Sequence, residues 1–297
     1  MSVDTTTRES EEKFRLPAHA RISAIHIRVS DVRAAIDFYA DLVGFRVIEK
    51  SKTSALLHSE REHISVIRLT QSSGAPSRTP RSAGLFHVAF RYPDRRELSH
   101  ALRRFLHARY RITGAADHLV SDAIYLSDPD KNGVELYADQ PKEAWPREFG
   151  EIAMGTEPLD VDALLAVSEG AKWSRSEKGV EIGHVHLQVT DLARSEQFYS
   201  RLLGFDVTQR SLDGALFVSA GGYHHHVGMN IWATGRGAPA DESSLGMVSF
   251  TVSAGSRDAF VALRNRLRHL LNGSANDPSV KTLLVRDPDR IGVEIVQ

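Results

Sequence analysis

Residues 22–29 alternate apolar and polar side chains with period two, which predicts a half-buried strand. Asp31 follows as a helix cap, and Ile36, Tyr39, Leu42 and Val43 share one face of the helix it opens. Short apolar runs at 45–49, 54–57 and 63–69, each bounded by polar or charged residues, predict three more strands. The order then repeats, with a strand at 85–91, an amphipathic helix over 93–110, and strands that include 123–126 and 133–137. The pattern therefore predicts two βαβββ modules in succession.

The chain also repeats at a longer distance. Residues 31–45 (DVRAAIDFYADLVGF) return 160 residues later as 191–205 (DLARSEQFYSRLLGF), with six of fifteen positions identical. The preceding runs AIHIRV and HVHLQV keep that offset, so His26 matches His186, and DPDKNGVE from Asp128 recurs as DPDRIGVE from Asp287. Two homologous halves are expected, 19–141 and 180–297. They are joined by a linker at 142–179 with one short helix near 161–167, and preceded by a polar, aperiodic tail at 1–18. The expected fold class is α+β, each half closing its two modules into an eight-stranded curved sheet around a cavity, with helices outside.

Composition narrows the chemistry. Lys plus Arg number 37 against 38 Asp plus Glu, so the net charge of −1 points to neither nucleic acid nor an acidic polymer as partner. With no cysteine, disulfides, thiolate metal sites and cysteine nucleophiles are excluded. No run is long and apolar enough to span a membrane and the start lacks a signal-peptide core, so a cytoplasmic location is expected. What stands out is 14 histidines, several inside short apolar runs.

Strand alternation sorts those histidines. Ile25, Ile27 and Val29 face a helix, leaving His26 on the other side; Phe86, Val88 and Phe90 do the same for His87 and Ala89; Val134 and Leu136 do it for Glu135. A lone strand histidine is more often a satisfied polar residue than a ligand. Two imidazoles and one carboxylate in the same phase on three strands match a 2-His-1-carboxylate metal triad, which suits Fe(II) and leaves open coordination positions.

With these residues the chain resembles the vicinal oxygen chelate superfamily, and within it the type I extradiol ring-cleavage dioxygenases of the catechol 2,3-dioxygenase kind. The stretch His118 to Glu135, HLVSDAIYLSDPDKNGVE, carries the most specific part of the likeness, with Ala116 and Lys131 as departures at small or glycine positions. The resemblance implies that His26, His87 and Glu135 hold Fe(II), that His63 is an acid-base histidine beside the metal, and that His118 and Tyr125 contact the substrate oxygens. The partners it implies are a small aromatic diol and O2, in aromatic catabolism. Mn(II) accepts the same donors, and ring substituents and any homo-oligomer stay open.

In the second half Ser249 stands for His87 and Leu284 for Tyr125, so that half is expected to be a degenerate copy, with His186, His225 and Glu294 as the fallback ligand set. Consecutive strand residues alternate faces, so His224, His225 and His226 are not expected to serve one ion. Two other functions compete: a divalent-metal lyase, isomerase or thiol transferase of the glyoxalase or fosfomycin-resistance type, and a metal-free binding protein of the bleomycin-resistance type.

Overall fold

The computed structural model describes residues 14–60, 65–170, 179–235, 237–239, 241–270 and 279–297. The first module runs β1 (Arg21–Val29), α1 (Val32–Ile36), β2 (Arg46–Lys50), β3 (Ser54–His58) and β4 (Val66–Gln71). The second is β5 (Gly84–Arg91), α2 (Arg95–His107), β6 (Ile112–Asp117), β7 (Ser121–Ser127) and β8 (Gly133–Asp139). The linker holds three two-residue strands, β9 (Arg147–Glu148), β10 (Glu151–Ile152) and β11 (Glu157–Pro158), and α3 (Val161–Ala166). The third module is β12 (Glu181–Gln188), α4 (Leu192–Glu196), β13 (Asp206–Gln209), β14 (Ala215–Ser219) and β15 (Val227–Asn230). The fourth shows β16 (Gly246–Ser253), α5 (Arg257–Arg266), β17 (Thr282–Arg286) and β18 (Gly292–Val296).

The caps follow the sequence. Asp31 accepts from the backbone N–H of Arg33 and Ala34, and Asp191 from those of Ala193 and Arg194. After α1 and α4 the helix widens to i+5 bonding, Gly44 N–H donating to the Tyr39 carbonyl and Leu203 N–H to that of Phe198, and Gly44 ends the first at φ +115°. Leu16 is buried and its N–H donates to the Gly204 carbonyl, so the expected tail is anchored to the third module from Phe14 onward; residues 1–13 lie outside the described residues.

The four modules form two curved mixed sheets. One has the order β17-β18-β16-β1-β4-β3-β2 and the other β11-β6-β7-β8-β5-β12-β15-β14-β13. Each sheet therefore takes one module from each half, where the sequence pattern had suggested that each half would close its own. The first strands make the joins: β1 runs antiparallel to β16 with Ile25 opposite Phe250, and β12 to β5 with Val185 opposite Val88. All four carry the same alternation, and an unpaired strand edge must find a partner. The connections supply the choice, because residues 72–83 and 231–245 carry the chain between the sheets and bond each other through Ala83 N–H to the Ala238 carbonyl and Leu245 N–H to the Pro76 carbonyl.

Within each half the repeated Asp-Pro-Asp turn ties the modules together. Asp128 accepts from the N–H of Asp130 and Asn132, and its second oxygen accepts from the buried Tyr39 hydroxyl at 2.9 Å; Asp130 in turn accepts from Ser30 N–H. Asp287 and Asp289 repeat this with Tyr199 and Thr190. Lys131 and Arg290 close the turns at φ +67° and +68°, the left-handed region that glycine adopts most readily. Tyr39→Phe and Tyr199→Phe each leave a buried carboxylate oxygen short of a donor and should destabilise the fold by about 1–3 kcal/mol. Urea unfolding would measure this, and an unchanged midpoint in both variants would show that the turns do not brace the modules.

Candidate metal centre and its cavity

The seam between β5 and β12 assembles a cluster of titratable groups. Across it His184 lies opposite Ala89, and Ala89 lies opposite Glu135 on β8, so a methyl group separates the two long side chains and they meet above it. His87 joins from the next same-face position on β5. A bulge that skips Gly183 re-aims β12 just before His184, and a Cβ at Gly183 would sit 1.8 Å from the Tyr137 hydroxyl oxygen.

His87 Nε2 lies 3.0 Å and His184 Nε2 3.2 Å from Glu135 Oε2, and one ligand atom from each of the three residues falls within 4.8 Å of the others. All three residues are buried, and His87 Nε2 has no hydrogen-bond partner despite its proximity to the carboxylate. A buried imidazole nitrogen aimed at a carboxylate without a bond is costly unless something else satisfies it, and a divalent cation between the three groups would. Protonation fits too. Burial raises the Glu135 carboxyl, but His184 and His87 outweigh it and hold the group well below the usual range. Burial lowers His184 to about 4, against the opposing pull of Glu135. A neutral His184 beside an ionised Glu135 is what a metal requires.

The cluster opens into a cavity of about 320 Å³. Its polar side carries His118, Tyr125, His186 and His225; Phe86, Phe217, Leu212 and Trp232 form apolar walls. His118 Nδ1 lies 2.6 Å from the Gly155 carbonyl oxygen, which can only accept, so Nδ1 carries the hydrogen. In neutral His118 the other nitrogen then accepts, and the Tyr125 hydroxyl donates to it at 2.6 Å. His225 packs against His184 with ring centroids 4.0 Å apart and the planes inclined by 49°, and burial pushes its imidazole well below the ordinary value.

Of the residues expected from sequence, the structure brings together His87, Glu135, His118 and Tyr125. His26 is elsewhere: β1 belongs to the seven-stranded sheet, and His26 Nε2 lies 2.9 Å from the Thr70 hydroxyl. His184 takes the remaining place. The repeat offset matches His184 to Ala24 and so conceals it when His26 is the template. His63 lies outside the described residues. In the fallback set, His186 and His225 line the cavity, whereas Glu294 lies in the other sheet and accepts from Ser249 at 2.8 Å. Phe86 was expected to face a helix, but a bulge between His186 and Leu187 turns it into the cavity wall. The linker contributes Met154, Gly155 and Thr156 to the lining, which its composition did not suggest. His224 to His226 precede β15 in an irregular bend, so strand alternation does not govern them.

Comparison with known proteins agrees with this architecture. The profile of the Glyoxalase/Bleomycin resistance protein/Dioxygenase superfamily matches residues 21–136 and 181–271. A protein named catechol-2,3-dioxygenase from Bacillus subtilis (strain 168) is 36% identical over 265 residues, covering 88% of this chain and 92% of its own. Biphenyl-2,3-diol 1,2-dioxygenase 3 of Rhodococcus globerulus is 28% identical over 120 residues, 40% of this chain and 63% of that one. The crystal structure of glyoxalase I from Zea mays superposes with a TM-score of 0.55 at 15% identity, covering 94% of this chain and 92% of that one, and so shares the fold. Among the described residues no helix is long and apolar enough to cross a membrane. The four modules, the triad on their seam and the match along both halves together show that the chain belongs to the Glyoxalase/Bleomycin resistance protein/Dioxygenase superfamily, the vicinal oxygen chelate proteins, on its extradiol dioxygenase branch.

Proposed function

We propose that the protein is an Fe(II)-dependent extradiol dioxygenase that opens a catechol-type ring beside its two hydroxyls, with His87, Glu135 and His184 as the metal ligands. The observation that carries the reading is a two-histidine, one-carboxylate set whose His87 and Glu135 line one apolar-walled cavity with a hydrogen-bonded Tyr125–His118 pair. The names of the two curated relatives bring the substrate class, aromatic vicinal diols. A cavity of about 320 Å³ suits one aromatic ring with small substituents.

Bound by these three residues, Fe(II) supplies open coordination positions and one-electron chemistry, which O2 needs to react with a closed-shell diol. The chain supplies the rest. Tyr125 gives its own hydrogen to His118, so its oxygen lone pairs are free to accept from a substrate hydroxyl, and the pair offers one diol proton a path to the His118 imidazole. Phe86, Phe217 and Trp232 hold the ring and exclude water. We assign the acid-base role to His225, which lines the cavity and lies against His184.

Protein purified without air should carry one metal per chain and turn catechol into a yellow ring-opened product. His87→Ala, Glu135→Gln and His184→Ala should each empty the site while His26→Ala keeps it filled. Metal analysis decides this, and metal loss in His26→Ala with retention in His184→Ala would reverse the assignment. His225→Phe should keep the metal and lower turnover about 100- to 10,000-fold, the range expected when a general acid-base group is removed. Failure of the metal-loaded wild type to open any member of a panel of catechols would rule out the activity.

A further inference from the structure

A chain of hydrogen bonds reaches His225 from the side away from the substrate cavity. His224 and His225 are adjacent, yet the bend before β15 brings their Nδ1 atoms to 2.8 Å. The Nε2 of His224 lies 3.0 Å from Asp139 Oδ1. Asp139 also accepts from Arg91 at 3.0 Å and from the Tyr223 hydroxyl at 3.1 Å. Arg91 and Tyr223 border a second cavity of about 480 Å³.

Hydrogen accounting fixes the tautomers. Burial raises the Asp139 carboxyl, but His224 and Arg91 outweigh it and hold the group below its usual value, so it is an acceptor only. His224 Nε2 therefore carries a hydrogen, and a neutral His224 has a bare Nδ1. The single hydrogen between the two Nδ1 atoms then belongs to His225, which leaves His225 Nε2 bare. No described residue hydrogen-bonds that nitrogen, and His225 lines the metal cavity.

We infer that Asp139 and His224 are positioning residues that lock His225 in its Nδ1–H tautomer, presenting the Nε2 lone pair to the substrate cavity. The inference rests on the dioxygenase reading only for its catalytic consequence. Asp139→Asn keeps the shape, but its carbonyl oxygen would turn to Arg91 and its amide to His224. That reverses both tautomers, as removal of the orienting carboxylate does in a serine-protease triad.

Zinc-loaded protein labelled with 15N-histidine is diamagnetic, and long-range proton–nitrogen correlation reads each tautomer directly, with the His225 signals identified by their loss in His225→Gln. The wild type should show His225 as Nδ1–H, and Asp139→Asn should convert it to Nε2–H. In the iron enzyme Asp139→Asn should lower kcat for catechol about 100-fold or more, leaving KM and iron content unchanged. His224→Leu, which keeps the Asp139–Arg91 pair, serves as the second variant and should also lose kcat without losing iron. Asp139→Glu should recover part of the rate. His225 as Nε2–H in the wild type, or an unmoved tautomer and kcat in both variants, would overturn the inference. The expected tautomers in a wild type without catechol turnover would instead overturn the dioxygenase reading and leave the hydrogen-bond chain standing.

Discussion

The antiparallel seam between β5 and β12 is the constraint on which the site depends. It sets His184 opposite Ala89 while β8, on the other edge of β5, sets Glu135 opposite the same alanine. Neither half contains the triad by itself, since His87 and Glu135 come from the first half and His184 from the second. A metal held by these groups would therefore cross-link the halves, and its binding free energy would add to the stability of the seam, because the separated halves offer no equivalent site.

Duplication produced two such seams, and only one is equipped. Where β1 meets β16, Ala24 occupies the place of His184 and Ser249 that of His87. Glu294 survives there, but it accepts from Ser249 and lies 3.8 Å from Arg68 Nη1, so the charge already has partners. The braces differ from the site in this respect. The Asp-Pro-Asp turns are intact in both halves, because each must hold two modules that belong to different sheets.

These contrasts explain what could be read from the sequence. Alternation and capping signals located both helices and most strands of the first two modules, since both signals are local, and the repeat carried that pattern to the second half. His87 and Glu135 lie in one module and were legible for the same reason, whereas His118 and Tyr125 of that module came only with the family resemblance. His184 was not legible, because strand alternation says which way a side chain points but not which strand is adjacent. The repeat made that ambiguity worse, as β1 and β12 fit either partner equally well in pattern. Phe86 and the 224–226 bend escaped for a related reason: a bulge or an irregular turn breaks period two without a distinctive residue to announce it.

The density of buried imidazoles around the seam carries a physical implication of its own. His87, His184, His186 and His225 are all buried and close to one another, and for His184, His186 and His225 burial is the largest cause of a lowered affinity for protons. A cluster of neutral imidazoles costs little charge desolvation but leaves ring nitrogens that need partners. The protein meets that need in two ways. His186 finds Asn230, and His224 and His225 find each other and Asp139, whereas His87 Nε2 is left unbonded beside Glu135. Groups held by hydrogen bonds orient the surroundings, and the unbonded His87 Nε2 that faces Glu135 is where a cation would complete the set. That division, rather than the number of histidines, separates the site from the remainder of a histidine-rich chain.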